Sequence, residues 1–310
     1  MDPVNPTLSV VVPVHDEEAV LPELFARVAA ALPADLDWEL VVVDDGSRDG
    51  SWRLIAAQSA ADRRVRGLSL SRNFGHAVAI TAGLEVAKGD AVVVMDADLQ
   101  DPPERIVDLL AKWREGWDVV YGVREARDGE GWFKRASAAL FYRTLRLLTA
   151  IDVPPDVGEF RLMSRRAVDA LLQIPERNRY VRGLVSWIGY RQTALPYRRA
   201  PRVAGRTKYP LGRMLRLASD AIVSFSTVPL QIAVWLGLAL SLGCFAYAGY
   251  AVTMKLWTGR TVPGWASEMV AILLIGGVQL VCLGIIGEYI GRIYDEVKRR
   301  PLYLVDRRTD

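Results

Sequence analysis

Two carboxylates stand one residue apart at Asp96-Ala97-Asp98, followed by Gln100, Asp101 and the pair Pro102-Pro103. The stretch before them, Ala91 to Met95, is wholly apolar and reads as a buried strand that ends by delivering acids. In extended backbone Asp96 and Asp98 point to the same side, because side chains alternate with period two. Carboxylates held that close repel unless a cation or hydrogen-bond donors sit with them. Oxygen-only donors suit Mg²⁺ or Mn²⁺, and Mg²⁺ is usually held by one or two carboxylates together with substrate phosphates. The chemistry suggested is a metal–diphosphate site. An Asp-x-Asp alone equally describes a solvated turn before a helix, so its weight depends on what the rest of the chain brings to it.

The elements around it supply that weight. Leu8 to Val14, Trp38 to Val43 and Gly67 to Ser71 are short apolar runs that predict buried strands. Helices are predicted between them, from Asp16-Glu17-Glu18 to about Leu32, over Ser51 to Asp62, and over Ala77 to Ala87. After a helix near Pro103 to Glu115, Asp118 to Val123 reads as a further strand ending at Arg124. Strand–helix alternation predicts a mostly parallel sheet with helices on both faces. Polar groups follow each strand: Asp16/Glu17, Asp44/Asp45, Arg72/Asn73 and Asp96/Asp98. Ligands bind at that edge of open α/β sheets. Neither a G-x-G-x-x-G after the first strand nor a G-x-x-x-x-G-K-[ST] occurs, which disfavours dinucleotide oxidoreductases and P-loop enzymes.

The second half is basic and then apolar. Lys134 to Ile151 is predicted as an amphipathic helix, with Arg135, Arg143 and Arg146 opposite Phe141, Leu145 and Leu148. The segment from Pro154 through Asp156 and Glu159 to Leu162 reads as a glycine-bearing turn entering a helix over Arg165 to Leu172. Arg191 to Tyr197 is predicted as a strand, and the loop around Arg202 and Lys208 is a dense basic run. Ala221 to Met254 and Met269 to Gly287 contain no charged residue. A bilayer needs only ~20 residues of helix. The expected order is a catalytic domain over 1–210, an amphipathic interfacial helix over 211–226, membrane helices over 228–254 and 269–291, an external loop over 255–268, and a basic tail over 292–310. Basic residues on both flanks place them in the cytosol by the positive-inside rule. The acidic N-terminus has no secretory-signal pattern. Cys244 and Cys282 lie in apolar segments, without a disulfide framework or metal-like spacing. A net charge of +3 gives no nucleic-acid field. Glycines in both apolar runs favour self-association into a homo-oligomer.

Pro13-Val14-His15-Asp16-Glu17-Glu18, Val43-Asp44-Asp45-Gly46-Ser47 and Met95-Asp96-Ala97-Asp98-Leu99-Gln100-Asp101 together resemble the family 2 glycosyltransferases of GT-A fold. Ser71-Arg72-Asn73-Phe74-Gly75-His76, Gly158-Glu159-Phe160-Arg161-Leu162, the 202–209 loop and the C-terminal hairpin resemble polyprenyl-phosphate glycosyltransferases of the GtrB and dolichyl-phosphate mannose synthase type. The resemblance implies a Rossmann-like GT-A sheet. It also implies inverting, metal-dependent transfer of one hexose from a nucleotide-diphosphate sugar to polyprenyl phosphate at a membrane. By it, Pro13, Glu17, Asp44, Asp45 and Arg72 serve the nucleotide sugar. Asp96, Asp98 and Gln100 serve the metal and donor diphosphate, with Asp98, Asp156 and Glu159 as catalytic candidates. Arg124, Arg135, Arg202 and Lys208 fall to donor or acceptor phosphates. UDP-glucose is the first choice of donor, with GDP-mannose as the alternative. A membrane-anchored scaffold without turnover is the reading from a different class. The absence of Q-x-x-R-W argues for a single transfer.

Overall fold

The computed structural model describes residues 7–124, 157–198, 223, 226–259 and 264–309. Eight strands form one sheet: β1 Leu8–Val14, β2 Trp38–Asp44, β3 Val65–Leu70, β4 Ala91–Val94, β5 Val119–Arg124, β6 Val157–Ser164, β7 Gln192–Tyr197 and β8 Val305–Arg308. Their order is β7-β5-β6-β4-β1-β2-β3-β8. The central strands β4, β1, β2 and β3 are parallel neighbours. Every residue of β1 and β2 is buried, because helices cover both faces and erase the alternation that a half-exposed strand would show. Val10 and Val12 pack with Leu24 and Val28 of α1 (Leu21–Ala31) and with Leu109 of a helix at Ile106–Arg114, α4. Val11 packs on the other side with Ile80 and Leu84 of α3 (His76–Val86) and with Val168 of α5 (Arg165–Leu172). Each such buried Val or Leu contributes roughly 1.5–3 kcal/mol. Helix α2 covers Ser51–Ala61, and α6 covers Val181–Trp187.

Three expectations are corrected. Helix α1 starts at Leu21, not Asp16, because Asp16 has φ 54° and the next backbone N–H groups bond to the following loop instead of a helix. The segment expected as a turn before α5 is strand β6, antiparallel to both β4 and β5. Glu159 and Arg161 interrupt its apolar run and disguise it, but in the folded chain they pair with each other. The C-terminal segment is not simply a basic tail: β8 pairs antiparallel with the outer edge of β3.

Two long helices form the hairpin, α7 (Val228–Thr258) and α8 (Trp265–Val297). Both overrun the limits expected for them, and the link between them is shorter than 255–268. Pro229 sits in the first turn of α7, where its missing N–H costs nothing, and Gly259 closes that helix at φ 68°. The spans Val228–Trp257 and Glu268–Val297 each contain an 18-residue apolar window, of mean hydropathy 1.8 and 2.6, with Trp235, Phe245 and Leu280 largely exposed. The Tyr289 hydroxyl donates to the Ser226 carbonyl at 2.6 Å and joins the hairpin's two domain-side ends. Added side chains at Gly237, Gly243, Gly276 and Gly284 would meet nothing, so these glycines are not consumed by the α7–α8 contact.

Candidate active site

The carboxyl ends of β1 to β4 lie along one edge, and their loops are stitched together by acids. The backbone N–H of Asp16 donates to Ser47 Oγ at 3.0 Å, and that of Glu18 to Asp49 Oδ2 at 3.0 Å. In return, Arg48 N–H donates to Asp16 Oδ1 at 2.8 Å. Asp44, at the end of β2, accepts Ser47 N–H at 3.0 Å and the Ser69 hydroxyl at 2.9 Å. Asp45 takes the Phe74 and Gly75 N–H groups on its two oxygens at 2.7 and 2.9 Å. Burial pushes its carboxyl above the usual carboxylate range, against the pull of those two bonds. Gly46 has φ 66°, and a Cβ there would stand 2.4 Å from the Arg72 carbonyl carbon, so the β2 and β3 loops approach in a way only glycine permits.

These loops enclose an open cavity of about 530 Å³, lined among others by His15, Ser47, Arg48, Trp52, Arg72 and Asn73. Its size is that of a small-ligand site. Asp44 and Arg72 are expected residues that line it. The guanidinium of Arg72 lies 3.9 Å over the Phe74 ring. Pro13, Glu17 and Asp45 do not line the cavity. Pro13 is paired with Val43 inside the sheet, Glu17 anchors α1 through its carbonyl, and Asp45 holds the 74–75 backbone. His15, Asp16, Ser47 and Arg48 were not singled out as donor-binding residues. A polar residue in a loop gives no signal until the neighbouring loop is in place.

The second group surrounds the end of β4. Asp98 and Gln100 are buried, and Asp98 Oδ1 accepts the Gln100 N–H at 3.1 Å. Between them Leu99 is buried at φ 56°, a left-handed conformation rare for a branched residue and of the kind that clusters at functional sites. Asp96 Oδ1 lies 3.3 Å from His76 Nε2. Burial lowers the His76 basicity, but the bond and charge of Asp96 outweigh it, and the imidazole pKa is raised. Strand β6 sets Val94 opposite Arg161, and continuing that register brings Glu159 opposite Asp96. Glu159 receives Arg182 Nε at 2.7 Å and Arg161 Nη2 at 3.3 Å. Burial raises its carboxyl, and the charges of Arg161 and Arg182 together bring it below the usual range. The Tyr197 hydroxyl of β7 bonds Asp101. His76, Arg161 and Arg182 join this group through α3, β6 and α6, and long-range pairing of that kind leaves no local sequence pattern.

Of the residues expected to hold the metal, Asp96 acts electrostatically on Glu159, and Asp98 and Gln100 follow it on the same loop. Arg124 ends β5, with its backbone paired to Tyr197. Asp156, Arg135, Arg202 and Lys208, the helix expected over 134–151 and all of the helix expected over 211–226 except residues 223 and 226 lie outside the described residues. Among the described residues no group of three or more His, Cys, Asp and Glu could hold a metal ion by itself. Two carboxylates and an amide oxygen do fit a hard divalent cation whose coordination is completed by phosphate oxygens.

A mostly parallel sheet with a cavity and paired acids at its strand ends is the architecture expected of a GT-A glycosyltransferase, and the two long apolar helices suggest association with a membrane. Residues 9–172 match the family described as Glycosyl transferase family 2, and residues 228–293 match the GtrB C-terminal hairpin. The chain belongs to glycosyltransferase family 2. It is 49% identical to the uncharacterized glycosyltransferase YkcC of Bacillus subtilis, over 96% of this chain and 93% of that one. It is 41% identical to the SfII prophage-derived bactoprenol glucosyl transferase of Shigella flexneri, over 96% of this chain and 97% of that one. Among solved structures it is similar to the glucosyl-3-phosphoglycerate synthase of Mycobacterium tuberculosis in complex with Mn²⁺ and UDP-glucose. That match has a TM-score of 0.47 at 22% identity and covers 70% of this chain and 77% of that one.

Proposed function

We propose that this enzyme transfers glucose from UDP-glucose to polyprenyl phosphate at the cytosolic face of the inner membrane. The observation that carries the reading is the 41% identity to a bactoprenol glucosyl transferase along nearly the whole of both chains. The cavity beside β2 and β3 holds the nucleoside, with Arg48 and Arg72 as cations within reach of a diphosphate. Asp96, Asp98 and Gln100 would hold a Mg²⁺ or Mn²⁺ ion, which when bound neutralises charge on the departing diphosphate.

The acceptor is a phosphate monoester whose second pKa is near ~6, so it is already anionic at neutral pH. Its oxygen bonds to the anomeric carbon while the bond from that carbon to the diphosphate breaks and UDP leaves. No proton must be removed, so no strong general base is required. Glu159 suits this, because a carboxylate held low by two arginines is a poor base and a good anchor for Arg182. The group around β4 therefore works by electrostatics and positioning. Arg124, Arg135, Arg202 and Lys208 serve the two phosphate groups. Helices α7 and α8 cross the bilayer as a pair, which leaves both flanks on the side of the catalytic domain.

The test supplies purified protein with radiolabelled UDP-glucose, undecaprenyl phosphate and Mg²⁺ or Mn²⁺, and counts label extracted into the lipid phase. Lipid-phase label that depends on the acceptor is expected. Label from GDP-mannose but not UDP-glucose would reassign the donor, and no label from either would overturn the reading.

A further inference from the structure

The chain does not end at the membrane hairpin. From the end of α8 to Thr309 it returns across the catalytic domain. The Arg177 N–H donates to Glu296 Oε1 at 2.7 Å, and the Arg177 guanidinium bonds the Arg300 carbonyl. The Tyr303 hydroxyl bonds Glu85, and Ser71 N–H donates to the Leu304 carbonyl at 2.9 Å. Thr309 closes the segment: Gly67 N–H donates to its Oγ1 at 2.6 Å, and its own N–H donates to the Gly67 carbonyl at 3.0 Å. A Cβ on Gly67 would stand 2.6 Å from Ile55 Cγ2 and 3.2 Å from both Thr309 Cγ2 and Trp52 Cζ3, so the glycine lets α2 and the returning strand pack over the same point.

Between these anchors β8 has an irregular register. Leu70 faces Val305 and Ser69 faces Arg307, which leaves Asp306 as an extra residue. A regular strand would send Asp306 and Arg307 to opposite faces. A bulge re-aims side chains at such a point, and here both residues line the cavity. Arg307 Nε lies 3.0 Å from Asp306 Oδ2, and both side chains are about half exposed. An exposed ion pair of this kind adds little to stability, so holding the sheet together does not account for it. It sets a guanidinium and a carboxylate on the wall of the same cavity that Arg48 and Arg72 line.

We propose that the strand following the membrane hairpin is part of the donor site. Arg307 donates to an oxygen acceptor of the nucleoside diphosphate, and Asp306 accepts from its ribose hydroxyls. Donor affinity then depends on a segment outside the matched catalytic region 9–172 and is tied to docking of the hairpin's end on the domain. This rests on the reading of the cavity as a nucleotide site.

The test is titration of UDP, with Mg²⁺ present, into full-length protein in detergent, for the wild type, Arg307→Ala and Arg308→Ala. Arg308 is the next residue on the same strand and does not line the cavity, so it controls for general loss of charge. A charge-assisted hydrogen bond lost from Arg307 is expected to weaken UDP binding roughly tenfold, with Arg308→Ala within about twofold of wild type. Asp306→Asn should weaken UDP and leave inorganic diphosphate binding unchanged. Equal UDP affinity in Arg307→Ala and wild type would overturn the proposal alone. Equal losses in Arg307→Ala and Arg308→Ala would do the same. Wild-type protein that binds neither UDP nor GDP would overturn the nucleotide-site reading as well.

Discussion

The ends of β2 and β4 each carry two acids within three residues, yet the molecule uses them differently. At β2, Asp44 and Asp45 accept four hydrogen bonds from Ser47, Ser69, Phe74 and Gly75. Those bonds make them part of the scaffold that fixes the loops around the cavity, which Asp44 also lines. At β4, Asp98 and Gln100 flank a left-handed leucine, and Asp96 lies beside His76 and within the field of the Glu159–arginine group. That arrangement gathers charge where a diphosphate would depart. Paired carboxylates at a strand end therefore say little by themselves, and what the neighbouring loops do with their oxygens decides the role.

The largest effect on stability is expected beside β4, at the pair that orders the arginines. Glu159→Ala leaves Arg161 buried without its counter-charge, and losing one partner of a buried pair costs about 3–5 kcal/mol. Denaturant unfolding measures it, and a loss under about 1 kcal/mol would remove Glu159 from this role. The pH dependence has a definite sign. The folded-state pKa of Glu159 is depressed, so its stabilisation is complete above the unfolded value of about 4.3 and fades as pH falls through the folded value. Asp45 is raised instead, so its contribution is complete below the unfolded value of about 3.9 and is lost as pH rises through the folded one. Glu159→Gln should therefore flatten the acid limb of the stability curve, whereas Asp45→Asn should not.

Next comes Asp45→Ala, which strands two backbone donors and should cost about 1–3 kcal/mol while weakening UDP binding. Unaltered thermal stability together with unaltered UDP affinity would break the contrast, because the β2 end would then not be scaffold. The smallest effect is expected at Arg53→Ala. This removes a partner of Glu18 from an arginine that is 79% exposed, and should change stability by less than about 1 kcal/mol.

The parallel half of the sheet was legible because Leu8–Val14, Trp38–Asp44 and Ala91–Val94 are buried on both faces and read as unbroken apolar runs. The hairpin was legible for a similar reason, since charge-free runs as long as Ala221 to Met254 and Met269 to Gly287 have few other uses. The antiparallel strands were not. Strand β6 is interrupted by Glu159 and Arg161, and β8 is Val-Asp-Arg-Arg, polar and short, with a partner more than two hundred residues away in sequence. The candidate site divides in the same way. Asp96, Asp98 and Gln100 follow one strand and could be read off locally, whereas His76, Arg161 and Arg182 reach the same corner from three other elements.

The most direct test sets the two strand ends side by side: turnover of UDP-glucose into lipid-linked glucose by Asp98→Asn and Asp44→Asn at saturating donor, with folding checked by circular dichroism. The account predicts that Asp98→Asn loses at least about a hundredfold in kcat, while Asp44→Asn keeps kcat within a few fold and pays in KM. Near-normal kcat in Asp98→Asn, or an equal collapse of kcat in Asp44→Asn, would contradict it.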